Sequence, residues 1–242
     1  MTDDSTTGDF EGATFVGTSF KGATMRYSDL SGVTMRSVDV DGLDIDSHDL
    51  FMGRLVVNGV DVVPLVDAEL DRRFPGRALQ KAQEPEGLRA GWVAVQAAWA
   101  STVADTPPEL VDAHVDDEWS LAQTLRHLVL ATDTWLRGGI LRIEQPFHEI
   151  GQIFTGAAEM GFDTSIFRAD PPPFEEVLAV RAERQRMVTD FLATVTPELL
   201  AEERSDPWGS DWSPTVGDCV RVILEEEWAH LRYVRRDLAL LG

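Results

Sequence analysis

The sequence predicts an α+β multidomain chain, a short β-solenoid of five-residue repeats followed by an all-α four-helix bundle. Two observations predict it: an apolar residue at every fifth position near the start, and four long amphipathic segments after that.

Counting by fives from Phe10 gives Phe10, Phe15, Phe20, Met25, Leu30, Met35, Val40, Ile45, Leu50, Leu55, Val60 and Leu65, all apolar. At 43% apolar composition, chance produces such a run on the order of 10⁻⁵ to 10⁻⁴ of the time in one chosen phase. Neither a helical period of 3.6 nor a strand period of 2 generates it. Two positions before the early members stand small residues, Gly8, Ala13, Thr18, Ala23 and Ser28. A narrow interior needs one large and one small residue per side. After Leu30 the small position becomes Val33, Val38, Leu43 and His48, so the last coil is expected to be irregular.

This segment, roughly residues 8–60, resembles the pentapeptide-repeat family. The resemblance implies a short right-handed quadrilateral β-helix with four five-residue faces per coil, hence three coils about 14 Å tall. Within residues 1–62, eleven acidic residues stand against four basic ones. The family includes acidic, DNA-shaped rods that bind topoisomerases, but three coils imitate little duplex. Packing on the second domain, or capping a dimer, is the plainer expectation.

Residues 63–85 form a linker with a short helix, punctuated by Pro75-Gly76 and Pro85 where the numbered sequence reads Phe74-Pro75-Gly76 and Glu84-Pro85. The helical domain then covers residues 86–242. Segment 86–104 places Leu88, Trp92, Val95, Trp99 and Val103 at steps of three and four, and segment 118–140 carries Trp119 and then Leu121, Leu125, Leu128, Thr132 and Trp135 at the same steps. Segment 174–193 carries Phe174, Val177, Leu178, Arg181, Val188 and Phe191, and segment 215–241 carries Val216, Val220, Ile223, Val234, Leu238 and Leu241. Four such helices bury their stripes against one another as a bundle. The connection 141–173 is long for a compact domain, which marks a lid or a pocket wall.

A formal net charge of −21 excludes a nucleic-acid binder, whose phosphate contacts need clustered Lys and Arg, and disfavours an anionic membrane surface. No signal peptide is expected from MTDDSTTGDF, and no apolar run reaches the length of a membrane span. One cysteine, Cys219, precludes an internal disulfide and fits a reducing cytoplasm. It is expected to pack as a small hydrophobe.

Of five histidines, His48 falls in the repeat and His114 in a polar loop, both expected at the surface. His127 lies within the second bundle helix and His230 within the last. Glu226 precedes His230 by four residues, so the two share a helical face. Ile223, Glu227, His230 and Val234 step along one stripe with Glu226 at its shoulder. An acid and an imidazole on an inward face need each other or a cation. Alternatively Glu225-Glu226-Glu227 is a solvated run and the histidines are packed core residues.

The segments EWSLAQTLRHLVLATDTWL, PFHEIG, FEEVLAVRAERQ and EEEWAHLRYVRRDLALL resemble the DinB/YfiT-like superfamily of metal-binding four-helix bundles over about residues 86–242. Many members use three histidines. Here Glu226 stands where the first histidine of the final pair is usual, similar to the His/Glu/His variant of mycothiol-dependent maleylpyruvate isomerase-like members. The resemblance implies a divalent metal, zinc or else nickel, on His127, Glu226 and His230. It also implies a low-molecular-weight thiol of the mycothiol type as cosubstrate and transfer or isomerisation of a small electrophile. His148, in the long connection, is the candidate for a proton-handling or pocket role, with a purely structural role as the favoured alternative. One of Arg232, Arg235 and Arg236 could meet a substrate carboxylate, with Asp237 as a local partner. The alternative is a non-catalytic scaffold whose acidic repeat segment mediates protein interaction or dimerisation.

Overall fold

The computed structural model describes residues 8–26, 28–47, 50–116, 118–154, 157–158 and 161–242; His48 lies outside them. Contacts divide the chain into two compact units, Met1–Asp46 and Ser47–Gly242.

The first unit is a series of turns. The backbone N–H groups of Ala13, Ala23, Val33 and Leu43 donate to the carbonyls of Phe10, Phe20, Leu30 and Val40 at 2.9–3.2 Å. Each turn carries a glycine at φ between 72° and 76°, namely Gly12, Gly22, Gly32 and Gly42, the left-handed position that a residue with a Cβ resists. Phe10, Phe15 and Phe20 meet edge to face, with centroids 5.8 and 5.3 Å apart. The eight residues of the five-count from Phe10 to Ile45 remain 48–58% exposed. Among the described residues of this unit there is no strand. A segment this short is nearly all surface, and its large side chains stay half in water.

In the second unit, Leu50–Met52 makes a 3₁₀ turn, and β1 (Val56–Val57) pairs antiparallel with β2 (Val60–Asp61). Asn58 and Gly59 join them with φ of 49° and 84°, the pair of positive values that an Asn-Gly hairpin turn requires. Helix α1 (Val63–Arg73) follows, then a 3₁₀ turn at Arg77–Lys81 packed on the next helix. Gly76 between them has φ of 95°, and a Cβ added there would stand 2.6 Å from the Ala94 Cβ. Both conformation and crowding demand glycine.

Four long helices form the bundle: α2 (Pro85–Asp105), α3 (Leu121–Thr132), α4 (Phe174–Thr194) and, after the short α5 (Pro197–Leu200), α6 (Val216–Leu241). They correspond to the four periodic segments of the sequence. Capping boxes start α3 (Ser120 with Gln123) and α6 (Thr215 with Asp218), where side chain and backbone satisfy each other's orphan groups. Helix α3 runs on as a π-helical stretch, Asp133–Ile140. Helices α2 and α3 each pack against both α4 and α6. Their stripes meet in one core, with Leu88, Trp99, Leu125, Leu128, Leu192, Leu224 and Leu231 at its centre. No helix among the described residues is long and apolar enough to cross a membrane.

The 141–173 connection has no helix or strand among its described residues, yet it is pinned to α3. Arg126 Nε donates to the Ile150 carbonyl at 2.8 Å, and the Gln152 N–H donates to the Arg126 carbonyl at 3.3 Å. Ile150 itself is fully buried.

Candidate metal centre

Helix α3 presents His127, and α6 presents Glu226 and His230 one turn apart. Packing of α3 on α6 brings one ligand atom of each within 4.8 Å of the others. The two imidazole centroids are 4.6 Å apart. Side-chain exposures of 13%, 17% and 9% for His127, Glu226 and His230 leave the cluster shielded but reachable. The Trp119 indole covers it, 4.7 Å from His127 and 6.0 Å from His230 between centroids.

Hydrogen bonds orient both rings. His127 Nδ1 lies 3.0 Å from the Gln152 carbonyl, and His230 Nδ1 lies 2.9 Å from the main-chain carbonyl of Glu226. A carbonyl can only accept, so Nδ1 carries the proton in each ring. For His127 the neutral ring therefore offers the Nε2 lone pair, and Nε2 faces Glu226 Oε2 at 3.3 Å. Glu226 Oε2 is also 3.3 Å from His230 Nδ1, whose proton leaves Nε2 as the lone pair that ring can offer a cation. In a tetrahedral site with bonds near 2.0–2.1 Å, neighbouring ligand atoms stand about 3.3 Å apart. The donor set, two imidazoles and a carboxylate with backbone-tethered Nδ1 groups, thus fits one divalent cation.

Two buried ion pairs brace this arrangement. Arg181 on α4 bonds both carboxylate oxygens of Glu227, the residue after Glu226. One turn on, Arg184 Nε reaches Asp133 Oδ1 at 2.6 Å, just beyond α3. Burial pushes the Glu227 and Asp133 carboxyl groups up, and their arginine partners work against it. Glu225-Glu226-Glu227 is therefore no solvated run: Glu227 is 1% exposed.

His148 is not brought to the cluster by any of its hydrogen bonds. Its N–H donates to Asp133 Oδ2 at 2.8 Å, and its Nδ1 accepts from the Ile150 N–H at 3.3 Å. His114 is exposed and bonded to the Glu118 carbonyl. Cys219 is buried, and desolvation pushes its thiol up to about 11. Arg235 is committed to Thr102 Oγ1 on α2 at 3.0 Å, whereas Arg236 pairs with Asp237 at 2.7 Å. Sequence reasoning did not find Gln152, Arg184, Asp133 or the roof position of Trp119. A signal for Arg181 existed, because it and Glu227 are opposite charges on apolar stripes.

A family model for pentapeptide repeats matches residues 9–42 with eight copies. Neither the comparison with curated proteins nor that with solved structures gives a match. The model of the DinB superfamily matches residues 92–234, which span His127, Glu226 and His230. With the bundle and its His/Glu/His cluster in view, the chain belongs to the DinB superfamily.

Proposed function

We propose that His127, Glu226 and His230 hold one divalent cation, zinc before nickel, and that the site serves thiol-dependent transfer or isomerisation of a small electrophile. One observation carries the metal reading. His127 Nε2 and Glu226 Oε2, both acceptors when the ring is neutral, face each other at 3.3 Å. Two lone pairs at that distance repel unless a proton or a cation joins them. The cation would supply Lewis acidity that favours the thiolate of a small thiol at neutral pH. Around it the chain's own residues keep the imidazoles oriented through Gln152 and Glu226 carbonyls and exclude water with Trp119. The mycothiol type of thiol rests on the Glu226 variant alone.

The test is metal content after chelator-free purification, then turnover of a panel of electrophiles with each thiol separately. Stoichiometric metal that disappears in His127→Ala, with turnover dependent on one thiol, supports the reading. A metal-free wild type whose melting ignores EDTA removes it. His148→Ala tests the proton-handling role; an unchanged pH–rate profile leaves His148 a purely structural residue.

For residues 9–42 we propose the four-sided right-handed β-helix. Support comes from the eight repeats, the ten-residue recurrence of glycine turns and the Phe10–Phe15–Phe20 contacts. Their half-exposed apolar residues favour a second reading for this unit, a surface for dimerisation or a protein partner. Sedimentation of the full chain against one lacking residues 1–46 checks it: loss of a dimer supports that reading.

A further inference from the structure

Beside α3 lies a cavity of about 210 Å³ walled by Leu130, Phe147, Ile153, Phe162, Phe167 and Trp208. Three stretches of chain contribute: α3, the 141–173 connection, and the loop before α6. The rings are organised: Phe162 meets Trp208 edge to face at 5.2 Å, and Phe147 meets Phe167 at 5.9 Å. Gly151 makes room for this wall, since a Cβ there would lie 2.9 Å from the Phe167 ring. Leu130 is buried, while the other five wall residues keep part of their surface in contact with solvent. Large apolar side chains that line a hollow, rather than closing on one another, leave apolar area that a ligand can cover.

Two links tie the cavity to the metal centre. Leu130 follows His127 by three residues on α3, so their Cβ atoms lie about 5–6 Å apart. Ile153 follows Gln152, whose carbonyl orients the His127 ring. Among the described residues the single charged one in the lining is Asp163, itself exposed to solvent. Its Oδ1 accepts the Ser165 N–H and O–H at 2.9 and 2.6 Å, bonds that favour the carboxylate. Among the described residues the lining offers an anion no arginine or lysine, so a charged group would enter an apolar wall without a partner. Arg126, the nearest buried cation on α3, spends its Nε on the Ile150 carbonyl.

We propose that this cavity, whose wall includes Leu130 one helical turn from His127, is the acceptor site for the electrophile and takes an uncharged group the size of one aromatic ring. The size agrees, because an apolar cavity of about 150 Å³ is enough to hold benzene. The assignment as acceptor rests on the metal reading; the preference for an uncharged ring does not.

The experiment is calorimetric titration of the full chain with toluene and, separately, benzoate, with and without zinc, and repeated on Ile153→Trp and Phe162→Ala. Zinc affinity is measured on the same preparations. Saturable toluene binding is expected, weakened at least tenfold by either variant, with zinc affinity unchanged and benzoate bound at least tenfold more weakly than toluene. No saturable toluene binding by the wild type, or binding unchanged in both variants, overturns the site. Equal affinity for benzoate overturns the preference for an uncharged ring. Toluene binding by a protein that takes up no zinc overturns the acceptor assignment along with the metal reading, and leaves a plain apolar site.

Discussion

Arg181 of α4 and Glu227 of α6 form a buried ion pair, 3% and 1% exposed, whose carboxylate belongs to the residue directly after the candidate ligand Glu226. Among the described residues, helix α4 supplies no candidate ligand. Its Arg181 and Arg184 instead grip a carboxylate on each of the two segments that carry candidate ligands, Glu227 on α6 and Asp133 at the end of α3.

Breaking this pair from one side strands a charge in the core. Glu227→Leu should destabilise the fold by about 3–5 kcal/mol, whereas Arg181→Met with Glu227→Leu should recover most of that loss. Urea denaturation of the three proteins decides it; equal stability of the single and double variants would show that the charges are not coupled.

The Asp133 carboxylate holds both Arg184 and the His148 N–H. Asp133→Ala should cost about 3–5 kcal/mol and should loosen the attachment of the connection to α3. Hydrogen exchange reads this locally, with the His148 amide losing protection while Leu128 in α3 keeps it.

Zinc at a hundred times its dissociation constant should stabilise the wild type by about 2.7 kcal/mol, provided it binds only the folded chain. Glu226→Ala and His127→Ala should lose most of that gain, seen as a zinc-dependent melting shift present in the wild type and absent in the variants.

Cys219 has a folded-state value of about 11, raised from 9.0 by burial. The folded state therefore holds its proton more tightly, so this contribution is complete below pH 9 and is lost as pH rises toward 11. The size is on the order of 2–3 kcal/mol. Cys219→Ala should flatten the fall in stability between pH 9 and 11 relative to the wild type. At neutral pH the thiol should resist alkylation until the protein unfolds.

Replacing Gly76 by alanine places a Cβ 2.6 Å from that of Ala94 at φ of 95°. A loss of about 1–3 kcal/mol is expected, measured as a lowered urea midpoint with unchanged slope.

The bundle was legible in the sequence because each helix writes its buried face as a stripe at steps of three and four, which Leu88, Trp92, Val95 and Trp99 do on α2. The candidate ligands were legible for the same reason. Glu226 and His230 are one turn apart on one helix, and His127 lies inside a second helix that faces it in a bundle. The five-residue count was plain as well, although a period in the sequence does not say how far each large side chain is covered.

Local order therefore set which residues could face inward, since helical and turn geometry depend on neighbours a few positions away. What only the tertiary structure decided lies in contacts across long separations: the Gln152 carbonyl on His127, Arg181 on Glu227, Arg184 on Asp133, and the ring of aromatic residues beside α3. Those partners leave no periodic trace, because a hydrogen bond or a cavity wall needs only that two distant segments arrive at the same place.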